Sequence, residues 1–240
     1  MANNGFEGLG GAVSKRELKI FWLIDTSGSM HGDKIATVNR AIKAVIPELR
    51  AAADENPEIQ MLARALKFGQ IVDWHTSETK IEDFVWHDLD VGGLTPTGEA
   101  LCLLARELTP ERMGSRAIPP VLILLSDGEA TDECDEGIRT LLEQKWAKKS
   151  VRIAIAIGSD ANIAELTKFC SHPNENPPLE AKNASELVKF IKWASVEVSK
   201  SVSTSVIAQS STANVNIPPP PQPQVTIGAG VDQDDDDEVW

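Results

Sequence analysis

The sequence predicts an α/β protein: a doubly wound, mostly parallel six-stranded sheet with helices on both faces and one antiparallel edge strand. Three observations lead there. Four short, largely apolar runs have the length of buried strands, and stretches with helical spacing lie between them. The chain, at 240 residues, is long enough for one such domain plus a tail.

The runs are Leu18–Ile24, Ile59–Phe68, Val121–Leu125 and Val151–Ile157, each too short for a core helix. Ile35, Val38, Ile42, Val45, Ile46 and Leu49 place one apolar stripe on a helix, with Pro47 predicting a kink. Leu101, Leu104, Ala105 and Leu108 mark a second helix, and Ile138, Leu141, Leu142 and Trp146 a third. Asn183 and Glu186 read as a capping box ahead of Leu187, Val188, Ile191, Ala194 and Val198. Ile71–Trp86 is less regular and predicts an edge strand reached by a hairpin around Gly69-Gln70.

Composition sets the boundaries. Residues 201–240 hold six acids and no Lys or Arg, so the net charge of −13 sits partly there and the first 200 residues carry only −7. The Ser/Thr cluster, the Pro218–Pro221 run and the acidic end predict a disordered tail over 201–240, behind a domain at 15–200 and a flexible segment at 1–14. A net negative chain is unsuited to nucleic acid. Cys102, Cys134 and Cys170 are odd in number and widely spaced, which suits a reducing compartment better than a disulfide framework. The opening residues lack a signal-like apolar stretch, and no run approaches a membrane span. The expectation is a cytoplasmic protein with no membrane partner.

In an open parallel sheet, ligands bind beyond the carboxyl ends of the strands. Three loops there carry oxygen donors: Asp25-Thr26-Ser27-Gly28-Ser29, Gly92-Gly93-Leu94-Thr95-Pro96-Thr97-Gly98, and Ser126-Asp127-Gly128-Glu129. Alternate side chains of Asp25, Ser27 and Ser29 point to one side as the chain leaves the strand. Carboxylates and hydroxyls converging on a crevice suit a hard divalent cation, Mg²⁺ first and Mn²⁺ or Ca²⁺ next. Thr95 is preferred to Thr97 as a donor, because Pro96-Thr97-Gly98 reads as a helix start that Thr97 would cap.

Asp-x-Ser-x-Ser after the first strand, then Thr95, then Asp127, resembles the metal-ion-dependent adhesion site of von Willebrand A (vWA) domains, over roughly residues 15–200. The resemblance implies a Rossmann-like fold in which Ser27, Ser29 and Thr95 ligate directly or switchably and Asp25 and Asp127 act mainly through water. It also implies a protein partner whose Asp or Glu completes the octahedron. Leu-Thr-Pro-Thr-Gly-Glu-Ala-Leu and Ser-Asp-Gly-Glu further resemble the bacterial tellurite-resistance, TerY-type branch. That branch implies a stress-response role beside kinase or phosphatase components, although many of its members end in a metal-binding ribbon and this chain ends in a cysteine-free tail.

Two other function classes stand against a non-enzymatic binding module. An aspartyl-phosphate hydrolase also has Asp after a first strand with Mg²⁺, but needs a second carboxylate two residues on, where this chain has Ser27. Walker and G-x-S-x-G motifs are absent from the sequence. A scaffold acting through its tail would use the Ser/Thr cluster or dock Pro218–Pro221 in an aromatic groove. The Asp234–Glu238 block reads either as a tethered carboxylate source that would compete for the metal or as a plain solubilising tail. His31 reads as a surface side chain and Cys102 as core. Trp74 and Trp86 form either a contact patch or a cover for the sheet edge. Glu129, Asp132, Glu133, Asp135 and Glu136 form either a solvated loop or a rim favouring basic partners.

Overall fold

The computed structural model describes residues 15–207 and 216–222. The segment 1–14 and the acidic block Asp234–Glu238 lie outside the described residues.

Four strands form where the apolar runs predict them: β1 (Arg16–Asp25), β2 (Ile59–Phe68), then β5 (Val121–Ser126) and β6 (Val151–Ile157). Between β2 and β5 in sequence, β3 (Val72–Trp74) and β4 (Thr79–Lys80) both pair antiparallel with β2, and β7 (Leu179–Ala181) pairs parallel with β6. The order is β3-β2-β1-β5-β6-β7 with β4 also on β2. Among the described residues the sheet therefore has seven strands rather than six. The predicted antiparallel edge is two short strands, because the chain after Gly69-Gln70 meets β2 first at Leu66–Phe68 and again at Leu62–Ala63.

The helices are α1 (Asp33–Asp54), α2 (Thr97–Glu107), α3 (Pro110–Met113), α4 (Cys134–Glu143), α5 (Lys145–Lys149), α6 (Ile163–Phe169), α7 (Ala184–Lys192) and α8 (Val198–Ile207). They bury the sheet from both sides, and β1 shows how. Its period-two pattern sends Leu18, Ile20, Trp22 and Ile24 into one core with α1, α7 and α8, and Phe21 and Leu23 into another with α2, α4 and α6. Trp22 ties the layers together, its Nε1 donating to Ser195 Oγ at 2.9 Å within a π-helical turn, Trp193–Glu197, between α7 and α8.

Several local expectations change. α1 runs through Pro47 as one helix. The third predicted stripe splits at Gln144, whose extended backbone (φ −73, ψ 129) separates α4 from α5. Cys102 is half-buried rather than core, while Cys134 and Cys170 are buried, and all three are free. Half of the capping box forms: Asn183 Oδ1 accepts from Glu186 N at 2.9 Å, but Glu186 Oε2 accepts from Lys182 N, one residue before the cap, at 2.8 Å. The domain runs past Lys200, since α8 continues to Ile207. Ile217 packs on the α1-side core, and Pro220 and Pro221 line a groove of about 470 Å³ with Leu179 and Phe190. Part of the tail assigned to disorder thus packs on the domain.

Neither tryptophan is an exposed patch: Trp86 joins the α1-side core against Trp22, and Trp74, in β3, packs on the opposite core. Trp86 is buried, donating to Asn39 Oδ1 at 3.1 Å, and Arg64 lies 3.6 Å over the half-buried ring of Trp74. Among the described residues no helix is long and apolar enough to cross a membrane.

α2 and α4 cross where two glycines meet. A Cβ on Gly137 would stand 2.5 Å from the carbonyl oxygen of Gly98. Alanine in a helix interior ordinarily stabilises by about 0.5–1 kcal/mol relative to glycine. Overpacking against backbone costs about 1–3 kcal/mol and wins here. Gly137→Ala is therefore expected to lower the unfolding free energy in a urea titration by about 1–2 kcal/mol; a gain would contradict this packing.

Candidate metal centre

β1 leads into α1 and so to β2 on one side, whereas β5 leads to β6 on the other, so the direction of winding reverses between β1 and β5. Crevices open at such points, beyond the carboxyl ends of the strands. β1 and β5 pair in parallel up to Ile24 opposite Leu125, which brings Asp25 beside Ser126. Ser126 Oγ donates to Asp25 Oδ2 at 2.7 Å, and Ser27 N donates to Asp25 Oδ1 at 2.8 Å. Asp25 is fully buried.

The chain then turns through a short 3₁₀ segment, Gly28–Met30. Ser27 Oγ and Ser29 Oγ stand 3.0 Å apart, and Ser29 Oγ donates to Asp127 Oδ1 at 2.7 Å. The other oxygen of Asp127 accepts from Lys34 Nζ at 2.7 Å. Thr95 is reached through Gly128: a Cβ built there would lie 3.9 Å from both Ser29 Oγ and Thr95 Oγ1, so these hydroxyls flank the glycine. Asp25, Ser27, Ser29, Thr95 and Asp127 thus share one crevice. His31 is exposed at its edge.

Backbone bonds hold the three loops together. Gly92 N donates to Thr26 O at 2.7 Å, Gly28 N to Gly93 O at 3.1 Å, and Thr131 N to Thr95 O at 2.9 Å. Gly93 has φ +87, and a Cβ on it would stand 2.5 Å from Gln70 N, so only glycine lets the second loop pass the hairpin. Thr97 opens α2 as expected but does not cap it. Asp132 does so from across the crevice, accepting from Gly98 N at 2.9 Å and Glu99 N at 2.8 Å.

This clarifies the acidic stretch. Asp132 is a cap, Glu129 accepts from Asn162 Nδ2 at 3.1 Å, and Asp135 pairs with Lys168. Three of the five acids serve the fold. The sequence named Asp132 and Ser126 without these roles and did not single out Lys34. Ser126 was signalled by its place beside Asp127 at a strand end, and Lys34 by being a cation in the first turn of a helix, where acids are favoured.

The donor set fits a hard cation. Oxygens at adjacent vertices of a Mg²⁺ octahedron, with bonds of about 2.1 Å, stand about 3.0 Å apart. Ser27–Ser29 at 3.0 Å and Ser29–Asp127 at 2.7 Å are hydrogen-bonded pairs whose separations lie close to that edge, so a cation could take the place of the shared protons without moving the loops. Electrostatics agree: burial pushes the Asp25 carboxyl above its ordinary value despite hydrogen bonds from Ser126 and Ser27, and Asp127 adds repulsion. Two buried carboxylates with one ammonium leave negative charge uncompensated. Among the described residues no group of three or more His, Cys, Asp and Glu could hold a metal, so any cation here relies on hydroxyls.

Residues 20–193 match the family model of the von Willebrand factor type A domain. No curated protein matches the chain. Among solved structures, the ArnB paralog VWA2 from Sulfolobus acidocaldarius is similar, with TM-score 0.55, 19% identity, and coverage of 75% of this chain and 45% of that one. Proximal thread matrix protein 1 from the mussel byssus, with a zinc-occupied MIDAS motif, gives TM-score 0.55, 20% identity, and coverage of 76% and 48%. The pilus adhesin SpaC from Lactobacillus rhamnosus GG, in its open conformation, gives 0.63, 12%, and 78% and 30%. The chain spans less than half the length of each, and the likeness is one of fold.

The buried carboxylate generates a prediction for the metal-free protein. With its folded pKa raised above 3.8, Asp25 contributes stability below that value, lost as pH rises through the folded value. Asp25→Asn removes the charge and keeps the shape. In EDTA at neutral pH its melting temperature is expected to exceed that of wild type; a lower one would show that the charge is compensated.

Proposed function

Because the chain belongs to the von Willebrand factor type A family, a family of metal-dependent protein-interaction modules, we propose that it captures a protein partner through a divalent cation held in this crevice. The carrying observation is the convergence of hydroxyls and buried carboxylates on one crevice: Ser27 linked to Ser29 at 3.0 Å and Ser29 to Asp127 at 2.7 Å, beside a buried Asp25. In this reading Ser27, Ser29 and Thr95 supply neutral donors, and Asp25 and Asp127 supply charge, directly or through water. Bound there, the cation supplies an acceptor position for a carboxylate from the partner. Mg²⁺ is the preferred ion, with Mn²⁺ and Ca²⁺ as alternatives.

The surroundings favour binding over catalysis. Ser27 stands where an aspartyl-phosphate hydrolase needs its second carboxylate. Leu94 and Ile71, 68% and 56% exposed, sit on abutting loops beside Thr95, which suits an Asp or Glu flanked by an apolar side chain. We place the chain in the TerY-type branch on Leu94–Leu101 and Ser126–Glu129. Its partners are then kinase or phosphatase components of a cytoplasmic, tellurite-resistance-like stress response.

The test is retention of partners on immobilised protein in Mg²⁺ and in EDTA, with melts of the same samples. Mg²⁺ at ten times its dissociation constant is expected to stabilise the fold by about 1.4 kcal/mol. Partners are expected to elute in EDTA and to be missing from a folded Ser27→Ala variant. Retention by that variant, or in EDTA, would remove coordination as the mechanism.

A further inference from the structure

Lys34 is a cation built into a crevice that the proposed function reserves for a metal. Its Nζ lies 2.7 Å from Asp127 Oδ2, with side chains 17% and 0% exposed. The position is unfavourable in isolation. Lys34 occupies the first turn of α1, where free N–H groups and the helix dipole favour anions. A lysine stem on a helix surface readily carries its ammonium into water. Here it turns inward, onto a carboxylate whose other oxygen already accepts from Ser29.

We propose that Lys34 fixes the charge state of the metal-loaded crevice, weakening metal binding and strengthening capture of a carboxylate. The inference rests on the metal reading above and follows from charge counting. Asp25, Asp127 and Lys34 together carry −1. A divalent cation takes that to +1, and one partner carboxylate then makes the crevice neutral. Without Lys34 the protein offers −2, the loaded crevice is already neutral, and a further carboxylate would bring uncompensated negative charge into a mostly buried site. The ammonium sits on one oxygen of Asp127 while the other meets Ser29, so it would repel a cation held there and attract an incoming anion. It is a positioning charge, acting through Asp127.

Full-length wild type, Lys34→Met and Lys34→Arg are titrated with Mn²⁺, following the free ion by electron paramagnetic resonance. Acetate is then titrated onto each Mn²⁺-loaded protein, following the loss of water proton relaxation as it displaces water. Lys34→Met is expected to bind Mn²⁺ about tenfold tighter or more and to bind acetate several-fold more weakly. Lys34→Arg keeps the charge and is expected to stay near wild type in both. A purely structural lysine would leave both affinities unmoved or shift them in the same direction, and either result overturns the proposal while leaving the metal reading in place. Failure of wild type and both variants to bind Mn²⁺ overturns the metal reading and this inference together.

Discussion

The molecule is organised around a carboxylate buried at a strand end. Asp25 is carried to the end of the central strand β1 by a run of apolar residues packed on both faces, and there it meets Ser126 at the end of β5. Parallel pairing leaves this junction no freedom, since register fixes Ile24 opposite Leu125 and so the next residue of each strand side by side. A hydroxyl and one backbone N–H satisfy the hydrogen bonds of Asp25 without balancing its charge. The hydroxyls, the glycine loops and the internal ammonium are arranged around that imbalance.

Each neighbouring loop arrives with its backbone bonds already spent. Thr26 O is taken by Gly92 N and Thr95 O by Thr131 N, leaving the crevice to side-chain oxygens. Such a site is rigid in backbone and weak in charge, which favours an exchangeable ion over a permanently caged one. The Asp132 cap on α2 adds stiffness from the opposite wall, because the helix that starts two residues beyond Thr95 cannot fray without breaking two charge-assisted bonds.

Much of this was legible in the sequence. β2 and β6 begin and end at the residues where their apolar runs do; of the five proposed ligands, Asp25 ends β1, Ser29 lies in the short 3₁₀ turn, and Ser27, Thr95 and Asp127 lie in the loops between elements. Buried parallel strands advertise themselves by hydrophobicity alone, and Asp-x-Ser-x-Ser is informative because it sits at such a strand's end. What escaped was set by tertiary context. Thr79–Lys80 and Leu179–Ala181 are too short to show a period, and exist because β2 and β6 offer them an edge. Asp132 resembles any loop acid until α2 is brought against it. Lys34 looks like a surface lysine until Asp127, 93 residues away, folds over it. Burial was equally hidden in the sequence: Asp25, Ser27, Thr95 and Asp127 are buried, so the candidate metal site is part of the frame.

The central claim is that one divalent cation sits among these five side chains. The direct measurement is an anomalous difference map from crystals of the full chain soaked in Mn²⁺. The account predicts one strong peak within about 2.0–2.4 Å of Ser27 Oγ and Ser29 Oγ, facing Thr95 and Asp127. A fully soaked crystal with no peak in the crevice, or with its ion held elsewhere, would contradict it.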